Sequence, residues 1–433
     1  MLWVFCRFNH PMRSSGGMRA WNSVGRIACA VALFGAPMFG LPRWGYAEEE
    51  LRIALVSNAA SVEVAGIQLR LFDGETGALI ASWPGLHETT LRRGGDGINA
   101  EGASPVTKPS AGAGAQVLSA KTAAVVGATS PKASSVAARG VRRLIVEAKD
   151  GIRVAGGLYL GRLEIVPDPG ARAGDRLLVI NRLPLEVYLL GIIGSEMNPT
   201  WPLDALKAQA VAARTYAMQR RMMRRAANKA YDLESTVLSQ VYKGADQIRP
   251  LVIQAVKETR GEVLSYRHDL VEALFHSTCG GHTASAEEVF GREIPYLVER
   301  PCAWCRESTR YRWHVAVPLD EVSKKLNAAR LLRSSVNNVE RDSDDGDVLI
   351  EVRGAKDKRL KPREVRAAVG YTRLFSNRFV AETSGHKVVF DGQGFGHGVG
   401  MCQWGARGMA LAGYTYREIL VQYYKGASIK RLY

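Results

Sequence analysis

LPLEVYLLGIIGSEMNPTWPLDALKAQAVAARTYAM, residues 183–218, decides how the rest of the chain is read. Leu185, Leu189, Ile192 and Glu196 follow at steps of four, three and four, so they share one stripe of an amphipathic helix, and such a stripe is expected to face a core. A carboxyl held against apolar neighbours loses hydration, which disfavours its ionised form and raises its pKa toward the range in which it can donate a proton. Glu196 is therefore the candidate general acid; the plain alternative is a Glu in the last turn of a helix that turns outward into water. Pro199 stops the first helix, and Pro202 suits the opening turn of a second, with Asp204 at its positive end. On that second helix Lys207 and Arg214 lie seven apart on one face. Ala210, Ala213 and Ala217 flank Arg214 and leave room for a ligand or a second backbone.

Working outward, residues 51–91 alternate in short strand-like runs such as Ile67-Gln68-Leu69-Arg70-Leu71, broken at Asp73-Gly74. Residues 94–140 are rich in Gly, Ala, Ser and Pro, hold no aromatic residue and keep no period, a composition that reads as a flexible insertion. Strand signals resume at Leu144-Ile145-Val146, with a hairpin expected at Asp150-Gly151, and continue through residues 177–180. Helices are expected from 185 to about 228, then an irregular alternation in which a charged turn at 342–347 precedes a strand and Pro362 begins a short helix. The pattern predicts an α+β protein, a mixed catalytic domain with an inserted or preceding small β-rich domain. The expected divisions are a signal peptide at 1–47, a β-rich segment at 48–93, the flexible insertion at 94–140 and the catalytic domain at 141–433.

Arg19 and Arg26 precede an apolar run at 27–41, and Gly45-Tyr46-Ala47 offers the small residues of a cleavage site. Export to the periplasm or cell envelope is expected, with Glu48 as the mature start and Met18 as an alternative initiator; a retained anchor is the competing reading. The formal charge of +16 on 433 residues implies an anionic partner. For an exported protein that partner is an envelope polymer and not nucleic acid. Arg220, Arg221, Arg224, Arg225 and Lys229 cluster at the expected end of the second helix, where cations complement the dipole, so that cluster reads as structural.

Glu186 to Met197 and Ala205 to Ala217, with the runs E-x-Y-L-x-G-x-x-x-x-E-M and A-L-K-A-Q-A-V-A-A-R-T-Y-A, closely resemble the stage II sporulation protein D family. FHSTCGGHTASAEEVFGREIPYL at 275–297 and DGQGFGHGVGMCQWGARGMALAGYTYREILVQYYKG at 391–426 fit the same family in the same order. The resemblance spans roughly 51–433 and is weakest before Gly140. It implies a lytic transglycosylase that cleaves the bond between N-acetylmuramic acid and N-acetylglucosamine in peptidoglycan strands. It further implies Glu196 as catalytic acid and base, Arg214 as a second functional residue, and Gln209, Tyr216, Ser277, His397 and Gln403 as substrate contacts. Ordinary glycosidases need two carboxylates. A lytic transglycosylase uses the sugar's own C6 hydroxyl as nucleophile, so one Glu can protonate the bridging oxygen and then take the hydroxyl proton, leaving a 1,6-anhydro end. No second carboxylate stands out by spacing. Arg214 would hold the substrate or stabilise developing charge. A non-catalytic wall-binding protein that enhances an N-acetylmuramoyl-L-alanine amidase is the alternative from the wider family, and a zinc hydrolase is a second. Peptidoglycan strands, with an amidase or another wall-remodelling protein, are the expected partners.

Cys279 and His282 are spaced C-x-x-H, and Cys302 and Cys305 C-x-x-C, so the two pairs could close one structural Cys₃His zinc site. The chemistry itself would need no cofactor. Some relatives in the family carry a metal here. Disulfides after export, Cys302 to Cys305 or Cys279 to Cys402, are the competing arrangement, with His276 a spare ligand or a cleft residue. From Gly392 to Gly400 glycine alternates with larger groups, which lacks the strand-turn-helix unit of a dinucleotide site and instead predicts an extended ribbon whose bare face admits a sugar or another backbone. Thr415 and Glu418 form a T-x-x-E capping box that opens a last helix through Tyr423 and Tyr424.

Overall fold

The computed structural model describes residues 50–95, 97–101, 141–171, 174–235, 240, 242–341 and 346–433. The expected signal segment at 1–47 and residues 102–140 of the expected insertion lie outside the described residues. The protein is α+β, as its pattern predicts.

Two sheets come first in the described fold, antiparallel except where Leu233–Glu234 runs parallel to Glu50–Ala59. In Ser61–Ile67 the alternation is plain: Val62 and Val64 are buried while Ser61, Glu63 and Ile67 face water, the period of a half-buried strand. That strand sits in a five-stranded sheet ordered Gly97–Glu101, Leu86–Gly94, Ser61–Ile67, Ile152–Val154, Gly157–Tyr159. The second sheet runs Leu233–Glu234, Glu50–Ala59, Leu177–Pro184, Arg162–Pro167, Leu144–Glu147, Arg70–Asp73, Leu79–Ser82. Their apolar faces contribute to one core, with Val64, Leu91 and Ile152 from the first sheet and Ile53, Leu71 and Leu163 from the second.

Three expectations change here. The run from Ile67 to Leu71 is not one strand, because Gln68 takes a φ of 54° and turns the chain from one sheet into the other. Asp150-Gly151 joins strands of different sheets, whereas the tight hairpin lies at Ala155 and Gly156, both at positive φ, with Val154 opposite Gly157. Strands from before residue 94 and after residue 141 share both sheets, since Glu50–Ala59 pairs with Leu177–Pro184, so the β-rich segment at 48–93 is no separate body.

The strand Leu177–Pro184 runs into helix α1 (Leu185–Glu196), which is followed by α2 (Leu203–Ala226) and α3 (Pro250–Glu258). Helix α1 is not amphipathic. Leu185, Glu186, Tyr188, Leu189, Leu190, Ile192 and Ile193 are all buried, so the helix is enclosed on every side and only its C-terminal end emerges. Gly191 and Gly194 cost helix propensity, about 1 kcal/mol each. They let the 242–247 segment lie directly on α1; a Cβ at Gly191 would stand 2.7 Å from the carbonyl oxygen of Gly244. The alanines of α2 serve packing: Ala205, Ala208, Ala210, Ala212, Ala213 and Ala217 are fully buried, and α2 lies against α1, α3 and the strand Glu262–Tyr266.

Further on come α4 (Ala286–Phe290), α5 (Leu319–Ala328), α6 (Pro362–Val369), α7 (Gln403–Leu411) and α8 (Tyr416–Tyr423). Helix α6 starts at Pro362 as expected, and α8 starts with the expected capping box: Thr415 Oγ1 accepts from the Glu418 amide, and a Glu418 carboxylate oxygen accepts from the Thr415 amide at 2.8 Å. Between α4 and α7 stands a six-stranded sheet, Arg312–Pro318, Lys387–Gln393, Phe379–Ser384, Val336–Arg341, Val348–Val352, Lys358–Leu360. With α5 and α6 it builds its own core around Val317, Val322, Val339, Ile350, Val365 and Phe390. The sequence pattern does not separate this second core from the first. Among the described residues no helix is long and apolar enough to cross a membrane.

Candidate active site and metal centre

Glu196 is the last residue of α1 and is half-buried, lining a cleft of about 710 Å³. Tyr216 and Arg220, one turn apart in the second half of α2, reach the same cleft, and Gln403 reaches it from the first turn of α7. The opposite wall comes from two segments far apart in sequence. Phe275–His276 pairs in parallel with Met401–Cys402, Thr278 bridges to Phe395, and Ala284 bridges to Val399.

These two segments approach closely because of the alternating glycines. Gly394, Gly396, Gly398 and Gly400 all adopt positive φ, from 74° to 114°, so the chain is extended only to Gln393 and the 394–400 stretch is coiled, not the extended ribbon expected over 392–400. Its bare positions meet protein: a Cβ at Gly394 would stand 2.7 Å from the Thr278 carbonyl oxygen, and one at Gly396 2.7 Å from His276 Cβ. Of the two occupants the bare face would admit, another backbone is the one present.

Of the predicted substrate contacts, Tyr216, Ser277, His397 and Gln403 line the cleft beside Glu196. Gln209 does not; it is fully buried behind Gln403, whose Nε2 donates to its Oε1 at 3.4 Å. Arg214 is also displaced from its expected role. Its side chain is 0% exposed and donates from Nε and Nη2 to the two oxygens of Glu186, at 2.8 and 2.7 Å, and from Nη1 to the Glu262 carbonyl at 3.1 Å. Arg214 touches the root of α1 and not the cleft, because α1 is buried all round and Glu186 in its first turn needs a cation.

The cleft holds two features that residue spacing did not reveal. Glu272 is a second carboxylate, received by Arg292 at 2.6 Å and Arg220 at 3.6 Å. His276 and His397 form a neutral imidazole pair with ring centres 5.7 Å apart. Burial, with the repulsion that protonating both rings would bring, lowers His276 to about 3; burial, with the charge of Arg366, lowers His397 to about 4. The Val399 amide donates to His397 Nδ1 at 3.1 Å, while His276 Nδ1 is bonded to the Val399 carbonyl oxygen at 3.1 Å, which makes it the donor. His276 Nε2 is then a buried acceptor with no hydrogen-bond partner.

Behind this wall Cys279, Cys302, Cys305 and Cys402 converge, all buried, with their sulfurs within 4.8 Å of one another. A tetrahedral zinc with Zn–S bonds of about 2.3 Å separates its sulfurs by about 3.8 Å, so the donor set fits. Cys402 Sγ accepts from the amides of Cys279 at 3.3 Å and Gly405 at 3.2 Å, bonds that suit a thiolate. The fourth donor is Cys402 and not His282, whose Nε2 lies 3.4 Å from Glu299 at the surface. The parallel pairing of Phe275–His276 with Met401–Cys402 brings the later cysteine in, a contact that no C-x-x-H spacing encodes. All four thiols are free, and Cys279 and Cys305 sulfurs stand 3.5 Å apart, well beyond a disulfide bond of about 2.05 Å.

A family model described as stage II sporulation protein matches residues 173–266, which contain all of α1 and α2 and the strand Glu262–Tyr266. An uncharacterized protein of Brachyspira hyodysenteriae is 35% identical over 293 residues, 66% of this chain and 76% of its own length. The stage II sporulation protein D of Bacillus subtilis is 33% identical over 263 residues, 58% of this chain and 75% of its own. The chain belongs to the stage II sporulation protein D family. The amidase enhancer of Bacillus subtilis is also similar, at 26% over 290 residues, although the match covers only 40% of that protein. For this member of the stage II sporulation protein D family, the matched core holds Glu196, Arg214 and Tyr216, whereas the cysteines and both cleft histidines lie outside it.

Proposed function

We propose that the protein is a peptidoglycan lytic transglycosylase acting in wall remodelling, with Glu196 as its acid and base. The observation that carries the reading is the placement of Glu196, at the emerging end of an otherwise enclosed helix, where it lines the cleft together with Tyr216, His397 and Gln403. Glu196 would give its proton to the bridging oxygen as the C1–O bond breaks; the C6 hydroxyl would then attack C1 while its proton passes to the Glu196 carboxylate, restoring nothing but the acid for the next turn. Family membership and the sporulation relatives support a cell-wall-related function. We place the protein in the cell envelope and assign a structural zinc to the four cysteines, with no part in the reaction.

Digestion of purified glycan strands, read by mass spectrometry, tests the chemistry. Wild-type protein should release 1,6-anhydromuramoyl ends and Glu196→Gln should release none. Equal yields from both proteins would refute the role of Glu196. The similarity to an amidase enhancer supports a second reading, in which the cleft binds wall strands without cutting them. Strand binding with no anhydro ends from wild-type protein would favour it.

A further inference from the structure

The geometry points to Phe290 and Phe395 as the sugar-stacking walls of the cleft, gripping pyranose rings of a glycan strand; the inference rests on the transglycosylase reading for its ligand. Both rings line the cleft that holds Glu196, and they are 38% and 37% exposed. Aromatic rings left this open beside a catalytic carboxylate are placed to meet an apolar surface from outside.

The backbone fixes both rings in that state. Phe290 ends α4, whose N-terminus is capped by Ser285 Oγ accepting from the Glu288 amide, and Gly291 at φ 72° turns the chain away immediately after it. Phe395 lies between Gly394 and Gly396, and its amide and carbonyl are both bonded to Thr278, at 2.7 and 3.0 Å. Phe375 meets Phe395 edge-on at 5.6 Å and is itself covered by the Arg310 guanidinium at 3.9 Å, so the ring is buttressed from one side. His397 stands 5.8 Å from Phe290 and continues the aromatic surface inward. Tyr216 cannot share this role, because the Arg220 guanidinium lies over its ring at 5.1 Å.

The rest of the lining says what kind of ligand fits. Glu196 and Glu272 are matched by Arg220 and Arg292, so the cleft has no excess charge with which to select an ion. Ser277 and Gln403 offer hydrogen bonds around the aromatic walls. Apolar walls with a polar rim suit a pyranose, whose axial C–H groups form a flat apolar face and whose hydroxyls and N-acetyl groups lie at its edge.

The test uses the full chain carrying Glu196→Gln, so that binding is measured without turnover. Isothermal titration with peptide-free glycan strands and with chitohexaose should show that Phe290→Ala and Phe395→Ala each weaken binding about tenfold, while Phe290→Trp and Phe395→Trp keep near-parental affinity. Thermal melts should show all four variants folded. Unchanged affinity in both alanine variants, Trp variants as weak as the alanine ones, or no binding of either probe by folded protein would overturn the inference. If ring-dependent binding holds but wild-type protein makes no anhydro ends, the walls stand and the catalytic reading fails; if catalysis depends on Glu196 but neither ring affects binding, the reverse is true.

Discussion

Arg214 grips Glu186 with a two-pronged hydrogen-bonded ion pair, 2.8 and 2.7 Å, and both side chains are out of contact with water. The pair ties the middle of α2 to the first turn of α1, and the Tyr433 hydroxyl and the Gly261 amide donate to the same carboxylate at 2.7 and 3.3 Å. Glu196 lies at the other end of α1, so the ion pair acts on the cleft only by holding the helix that carries it.

Arg214→Ala should therefore act on stability before it acts on chemistry. Leaving the buried Glu186 without its cation should cost about 3–5 kcal/mol, and Arg214→Lys, which keeps the charge but loses the fork, should cost less. Denaturant unfolding measures both. An Arg214→Ala protein as stable as wild type but inactive would show that Arg214 meets substrate after all.

The same pair sets an acid limit. Burial alone would raise the Glu186 pKa, but hydrogen bonds and charge from Arg214 outweigh it and hold the group below its ordinary value of 4.5. Its contribution is complete above 4.5 and is lost as pH falls from there through the depressed folded value. Asp232, held down by Arg225 and Arg52 against its own desolvation, behaves alike. Unfolding followed from pH 6 to 2 should steepen below pH 4.5, and Glu186→Gln should flatten that limb; an unchanged limb in this variant would remove Glu186 from the account.

The four cysteines predict one zinc per chain by elemental analysis. Cys402→Ser should lower metal content and the thermal midpoint together, and His282→Ala should change neither, because His282 faces Glu299 at the surface. Chelation should loosen the wall from Ser277 to Gln403, since Cys279 and Cys402 flank those residues. Mass loss consistent with two disulfides in metal-free native protein would show the thiols to be paired instead.

How much of this was legible before the fold depended on distance along the chain. Both helices of the 183–218 stretch, the capping box at Thr415 and the helix at Pro362 follow from local spacing, and they occur. Glu196 was singled out from the right helix for an incomplete reason: α1 is buried all round, so no stripe distinguishes it, and exposure begins only at its end. Glu272, the imidazole pair and Cys402 are illegible in the sequence because each depends on segments that meet only in the fold: Glu272 meets Arg220 of α2, and His276 and Val399 are bonded across 123 positions. The Arg214 role was misplaced because an alanine-flanked cation reads alike whether the space beside it admits a ligand or a neighbouring strand.

His397 supplies a pH prediction of its own. Burial and the Arg366 charge lower it from an ordinary 6.5 to about 4, so the folded protein keeps it neutral where the unfolded chain would protonate it. The unfolded state then binds more protons between those values, and stability falls on acidification at about 1.4 kcal/mol per pH unit. NMR titration should show the His397 ring resonances unmoved from pH 8 to 5. A midpoint near 6.5 would mean that the ring is solvated and that the cleft wall is built differently.

Gly400 offers the sharpest test of that wall. It holds a φ of 74°, and a Cβ there would collide with the Leu274 carbonyl oxygen, a backbone atom that cannot swing aside. Gly400→Ala thus meets both left-handed strain and overlap, together about 2–4 kcal/mol. Gly413 makes the control: its φ is 89°, yet nothing lies within 4 Å of its would-be Cβ, so Gly413→Ala should cost only the strain. Because Leu274 precedes Phe275 and His276 in the wall, Gly400→Ala should also weaken glycan binding in whatever fraction stays folded, while Gly413→Ala should leave binding alone. Equal stability losses in the two variants would mean that the 274–276 and 400–402 segments do not press together.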